Sequence, residues 1–390
     1  MGALFTSTGS LLAIMALTVA VGFYVQRFRG FKMLGPALIV IILSIILANL
    51  RIVPFSADVY GVIAEYAIPL SIAMMLLSVD LKAMLRISKK PLLAILLASF
   101  SVSIVTLIAG MIFAPIIEEG WKVAGMFIGT YTGGSANMAA IGYALDALPT
   151  TFAAANAADY VIGVPSLVAM FAFPSIAAKS KWFQKVWPYS LSDPELKGDK
   201  SEVEEDPFLQ KKKWSIQDIA WGFAIAFTIT AVATFFSRYA PESFQSSARI
   251  LLITTFAIIG AQFGPVKKLK GNMDLGLFVA LFFLTTVGYM VNIKEFLSST
   301  LAIALFCCVV VISSLLVHAL LCRLLKIEYQ YVVIGIVAAI ADGSTAALIA
   351  ASANWRNLIS IAVVLGVIGS VMGNYLGISI AYLIKFIIGG

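Results

Sequence analysis

The chain has 390 residues, 61% hydrophobic and 12% charged, with a mean hydropathy of +0.99. A soluble domain carries roughly a quarter charged residues, so this composition excludes a soluble globular protein and points to a polytopic helical membrane protein. The formal net charge is +7, but the basic residues fall in short loops that set topology, and no basic stripe with interleaved aromatics occurs, which excludes a nucleic-acid interface.

Apolar stretches of about 20 residues, enough to cross a bilayer, recur along the chain. The first set covers about 4–25, 34–53, 60–79, 91–116, 121–146 and 151–178. The first stretch has no charged leader and no A-x-A step, and reads as a retained span. Trp182 and Trp187, beside Lys181 and Lys185, form an interfacial anchor. Ser190–Lys213 follows, with seven acids, five lysines and two prolines; it has too little apolar surface to fold and reads as a solvated linker. A second set covers about 216–237, 246–264, 272–292, 298–324, 330–353 and 357–386. The expected organisation is a first membrane repeat (1–178), a polar interfacial segment and linker (179–215) and a second membrane repeat (216–390). All three cysteines, Cys307, Cys308 and Cys322, and the one histidine, His318, lie in a single apolar stretch. That pattern fits packing residues and neither a disulfide framework nor a metal site.

Two of the spans carry polar, glycine-bearing interruptions. One is Gly129-Thr130-Tyr131-Thr132-Gly133-Gly134-Ser135-Ala136-Asn137; the other is Ala341-Asp342-Gly343-Ser344-Thr345. A shift of 209 residues lays Gly134-Ser135 on Gly343-Ser344. A second match, Val79-Asp80-Leu81-Lys82 against Val291-Asn292-Ile293-Lys294, lies at an offset of 212 residues. Two matches in the same order at nearly equal offsets indicate an internal duplication, as in many transporter folds.

Loop charge gives the orientation. Arg27, Arg29 and Lys32, then Lys82, Arg86, Lys89 and Lys90, place the loops after the first and third spans in the cytoplasm, and Glu118 and Glu119 suit an external loop. Lys267, Lys268 and Lys270 follow the eighth span, and Arg323 and Lys326 the tenth, which makes those loops cytoplasmic too. The two halves are then inverted. Inversion needs an odd number of crossings between equivalent positions, whereas six segments separate them, and this brackets the total at about 10 to 13 spans.

Polar breaks inside a bilayer expose backbone groups that hydrocarbon cannot satisfy, and a matched pair of them points to the substrate site of a secondary transporter. In the first break, Thr130, Thr132, Ser135 and Asn137 supply neutral oxygens and amide donors, and Gly133 and Gly134 bare the backbone. A helix restarting there directs free N–H groups at an anion. In the second, Gly343, Ser344 and Thr345 add to the solute site, and Asp342 is the candidate ion-coupling acid. An acid at mid-span costs about 2.5–3.5 kcal/mol, offset by a cation, water, a proton, or service as the N-cap of the helix that follows. Asn156 and Asp159, three residues apart on one helix face, and Asn374 complete the ion-coupling candidates, and Pro165 would loosen the helix that carries the first two. Asn374 reads equally as a helix–helix hydrogen bond beside the glycine face Gly366, Gly369, Gly373 and Gly377.

The two breaks resemble those of the YjcL-like membrane-protein family, domain of unknown function 819. More distantly, paired breaks followed by acid- or amide-bearing spans are similar to the sodium–glutamate symporters, bile-acid symporters and cation–proton antiporters. That resemblance implies an all-α fold of two inverted-topology repeats, with panel and core domains and two crossing broken helices. The sequence departs from the antiporters in lacking an adjacent Asp-Asp pair, and from the glutamate symporters in lacking a histidine in its Gly-Gly motif.

The expected function is ion-coupled transport of a small, carboxylate-bearing organic solute such as an amino acid, small peptide or organic acid. The protein is then not an enzyme, sits in the bacterial cytoplasmic (inner) membrane, and needs no cofactor beyond a coupling Na+ or H+. The lipid bilayer and the solute are its expected partners, with a homodimer as the oligomer kept in view. The alternatives are a cation–proton antiporter with no organic substrate and, remotely, an intramembrane hydrolase built on Ser135 with His318 or on Asp159 with Asp342.

Overall fold

A computed structural model describes residues 3–28, 35–82, 88–197, 214–290 and 293–389. Among these residues the secondary structure is helical, with no strand. In chain order the helices are α1 (Thr8–Val25), α2 (Gly35–Asn49), α3 (Asp58–Leu76), α4 (Lys89–Phe113), α5 (Gly120–Gly133), α6 (Ser135–Ala144), α7 (Pro149–Lys179), α8 (Lys181–Val186) and α9 (Asp193–Lys197). There follow α10 (Ile216–Ser237), α11 (Gln245–Gly260), α12 (Gly264–Lys267), α13 (Asn272–Tyr289), α14 (Ile293–Leu324), α15 (Tyr329–Ile340), α16 (Gly343–Ser352) and α17 (Ile359–Ile388).

Each apolar stretch read from the sequence is occupied by a helix or a broken pair of helices. Nine helices among the described residues are long and apolar enough to cross a membrane. Only helices satisfy their own backbone in hydrocarbon, and the sequence marks where they stop. Ser7 Oγ accepts from Ser10 N–H to start α1. Ser215 and Asp218 form a reciprocal capping box at the start of α10, which satisfies two donors that the first turn leaves open. Val291 and Asn292, half of the second internal match, lie outside the described residues.

The chain forms two compact units, each assembled from both halves of the sequence. One comprises Met1–Asp80, Ala139–Tyr160 and Phe208–Ile303. It gathers α1–α3 with α10, α11 and α13. Its core includes Leu11, Met15, Ala48, Tyr60 and Tyr289, and the two tyrosine rings lie 5.6 Å apart. Ser247 Oγ donates to Ala144 O (2.7 Å), and Arg249 Nη2 donates to Glu65 O (2.7 Å). Asp80 pairs with Lys267 at 3.0 Å. Asn156 and Asp159 are both buried on α7 in this unit, and Pro165 and Pro174 lie inside the same helix.

The other unit comprises Leu81–Met138, Val161–Pro207 and Ala304–Gly390. It holds α4, α5, the first turn of α6, most of α14, and α15–α17. Ile95, Val333, Val337, Trp355 and Leu365 belong to its core. His318, on α14, donates from Nε2 to Ala94 O (2.9 Å), so this histidine ties two packed helices together. Lys90 pairs with Glu328 at the start of α15.

The interfacial segment departs from expectation. Trp187 and Tyr189, just before the stretch read as a solvated linker, and the first residues of that stretch, 190–196, are all anchored in the second unit. Trp187 Nε1 donates to Ile327 O (3.0 Å), Tyr329 N to Tyr189 O (3.1 Å) and Leu191 N to Gln330 Oε1 (3.1 Å). Asn357 Nδ2 donates to Glu195 O (3.0 Å), and Leu196 is buried in the core with Trp355. Two hydrogen bonds from Ser192 hold the Glu195 carboxyl below its usual range. Composition hid this because a few apolar and aromatic side chains dock among many charges that stay in water. The rest of the linker, 198–213, lies outside the described residues.

Candidate functional site

Both polar interruptions are real helix breaks. The first falls at Gly134, whose φ of +83° and ψ of −180° end α5, a conformation essentially reserved for glycine. Its N–H still bonds Thr130 O (2.9 Å), and α6 restarts at Ser135. The second falls at Ala341 and Asp342, between α15 and α16. Asp342 Oδ1 accepts from Thr345 N–H (2.8 Å) and Oδ2 from Thr345 Oγ1 (2.9 Å). Asp342 O accepts from Ala346 N–H (3.1 Å). Asp342 is therefore the N-cap of α16, offsetting the partial positive charge of its first turn.

The two breaks meet within the second unit. A Cβ placed on Gly134 would lie 1.9 Å from Ala341 O, so the backbones are in direct contact there and only glycine fits. The glycine face of α17 lies across both. A Cβ on Gly366 would meet Gly343 N at 2.1 Å, one on Gly369 would meet Thr132 O at 2.2 Å, and one on Gly373 would meet Asn137 Nδ2 at 2.5 Å. Gly366 and Gly369 are one turn apart, so Asp342–Gly343 and Thr132 are neighbours along one helix face.

Polar side chains bolt this contact. Asn137 Nδ2 donates to Ser370 O (2.7 Å) and to Asn374 Oδ1 (3.1 Å). Both amide hydrogens are thereby committed, and only Oδ1 is left to accept from a ligand. Ser370 Oγ lies 3.0 Å from Gly366 O and 3.3 Å from Gly133 O. Asn374, one of the ion-coupling candidates, forms a helix–helix hydrogen bond with the first break.

Thr130, Thr132, Gly133, Gly134, Asn137 and Asn374 are buried, whereas Ser135, Asp342, Gly343 and Thr345 are half-buried. The half-buried set lies at the start of α6 and α16, where the first N–H groups of a helix have no partner within it. Ser344 opens α16 beside Gly343. The structure thus brings together every candidate of the two breaks with Asn374, whereas Asn156 and Asp159 belong to the other unit.

Three buried hydroxyls of the second unit, Ser103 Oγ, Thr106 Oγ1 and Thr132 Oγ1, have no hydrogen-bond partner in the protein. Each such group costs about 1–3 kcal/mol. Ser103 and Thr106 were not legible as site candidates. Their one signal was the density of hydroxyls at Ser99, Ser101, Ser103 and Thr106 in an otherwise apolar span. Ser99 and Ser101 bond back to Ile95 O (3.0 Å) and Leu97 O (2.7 Å), the usual fate of a helix serine.

These features define a polytopic helical membrane protein with two helix breaks in contact, braced by a glycine-faced helix. The chain belongs to the family described as "Protein of unknown function (DUF819)", whose model matches residues 10–387. It is similar to the "Uncharacterized membrane protein YjcL" of Bacillus subtilis (strain 168), with 23% identity over 361 residues covering 90% of each chain.

Proposed function

We propose that this protein is an ion-coupled secondary transporter of a small, carboxylate-bearing organic solute in the bacterial cytoplasmic membrane. The observation that carries this reading is the contact of the two breaks, Gly134 against Ala341 O. Bare backbone at mid-span is tolerated where it is buried in protein or lines a wet cavity, and paired broken helices are how transporters hold a solute at the midplane. The N–H groups that open α6 suit a carboxylate. Asp342 uses one lone pair of each oxygen on Thr345 and keeps the others for a cation. The interlaced make-up of the two units supports the finer reading of inverted repeats that split into panel and core. Solute recognition falls to Ser135 and the opening of α6, and ion coupling to Asp342.

Uptake into proteoliposomes tests it. Asparagine is also a good N-cap, so Asp342→Asn keeps α16 capped and removes only the charge. The variant is expected to stay folded and to lose cation-dependent solute uptake. Full cation-driven uptake by Asp342→Asn would sink the assigned role. Cation-induced proton movement without any solute would replace symport by antiport.

A further inference from the structure

We infer that Ser103, Thr106 and Thr132 hold a dehydrated sodium ion in the seam where α4, α5 and α17 meet. These three helices pack on one another. Gly110 fixes which face of α4 looks into the seam, because a Cβ there would meet Ile384 of α17 at 2.7 Å and Ala124 of α5 at 3.6 Å. Thr106 and Ser103 precede Gly110 by one and two turns, so they share that face.

Their depth follows from the short connection that makes α4 and α5 antiparallel. From the level of Gly110 and Ala124, Ser103 lies about 10.5 Å back along α4, and Thr132 about 12 Å forward along α5. The two hydroxyls are therefore level, at the first break. Ser103 is 6% exposed, and Thr106 and Thr132 are 0% exposed; none has a protein partner.

Three buried hydroxyls without protein partners, two on one face of α4 and the third on α5 at the level of Ser103, offer lone pairs and no anion. Thr132 lies in the last turn of α5, whose open carbonyl end carries partial negative charge and favours a cation. Sodium is held by such neutral oxygens, whereas an aliphatic hydroxyl neither gains nor loses a proton near neutral pH and so cannot serve a proton as coupling ion. The inference rests on the transport reading only in making this sodium a second coupling ion beside the cation assigned to Asp342.

The test is thermal unfolding of the purified full-length protein in sodium, lithium, potassium or choline chloride at one ionic strength. Sodium should raise the wild-type midpoint saturably, and potassium should act like choline. Ser103→Ala, Thr106→Val and Thr132→Val should each raise the half-saturating sodium concentration about tenfold or more. Their sodium-free midpoints should match or exceed the wild type, since each loses a buried unpaired hydroxyl. Should one variant fail to fold, the other two carry the comparison.

Absence of a sodium-specific shift in the wild type, or an undiminished shift in the variants that fold, would overturn the site. Variants more stable by the same amount in every salt would mark the hydroxyls as plain unpaired groups or water ligands, and would equally overturn it. Solute uptake that persists with no hydroxyl-dependent sodium shift refutes this site alone. A hydroxyl-dependent shift with no solute uptake refutes the transport reading and leaves the site standing.

Discussion

Gly134 is where the breaks are most exacting, and alanine there is the sharpest perturbation. Two costs arise from one methyl group. The backbone sits at φ +83° and ψ −180°, a region whose strain for other residues is about 1–3 kcal/mol. The added Cβ would also stand 1.9 Å from Ala341 O, where real Cβ contacts keep at least 3.0 Å. Relief requires about 1.1 Å of movement by backbone that α17 holds from the other side, and overpacking of this kind costs about 1–3 kcal/mol. Together these come to about 2–6 kcal/mol.

Gly61→Ala is the matched control. It lies inside α3 with nothing within 4 Å of the new methyl, so helix propensity alone acts and favours the variant by about 0.5–1 kcal/mol. Both variants would be followed by intrinsic tryptophan fluorescence in detergent at one scan rate, because unfolding of such proteins is read as a midpoint order rather than an equilibrium. Gly134→Ala should melt well below the wild type and Gly61→Ala at or slightly above it. If Gly134→Ala melts with the wild type, the breaks are not in the contact described, and the reasoning from that contact falls.

Two smaller perturbations complete the set. Asn137→Leu removes both amide bonds to α17 and leaves Ser370 O and Asn374 to find other partners; a loss of about 1–3 kcal/mol should appear as a lower midpoint in the same melting assay. Trp187→Phe keeps an aromatic ring but removes the donor to Ile327 O, in a residue that is buried; it should destabilise by a similar amount, and limited proteolysis should cut the interfacial segment faster.

The positions of the breaks were legible because glycine and small polar residues are conspicuous in apolar spans, and α5 ends and α16 begins within the runs that showed it. What braces the breaks was not. Gly366, Gly369 and Gly373 declare a face of α17 by their spacing, but spacing does not name a partner, and the partner turned out to be both breaks at once. Asp342 was legible as costly at mid-span, and its service as a cap follows from Thr345 three residues on. Ser103 and Thr106 stayed hidden because a helix hydroxyl usually bonds its own preceding turn, as Ser99 and Ser101 do beside them. Trp187 was legible as an anchor, but the docking of the residues after it was masked by averaging, since Leu191 and Leu196 are sparse among charges.

The two breaks differ in a way that divides their labour. The second carries its own anion: the Asp342 carboxylate occupies the opening of α16 and satisfies the charge that a solute carboxylate would otherwise meet there. The first has glycine at the equivalent place, with no side chain to cap α6. On the proposed transport function, an anionic solute would therefore be steered to α6, and a cation to Asp342 or to the carbonyl end of α5. Because Gly366 and Gly369 of α17 clamp these elements one turn apart, a ligand bound at one break would change the field and the packing of the other. Linked affinities between solute and ion, as the proposed function requires, would then need no long-range pathway, only this single contact.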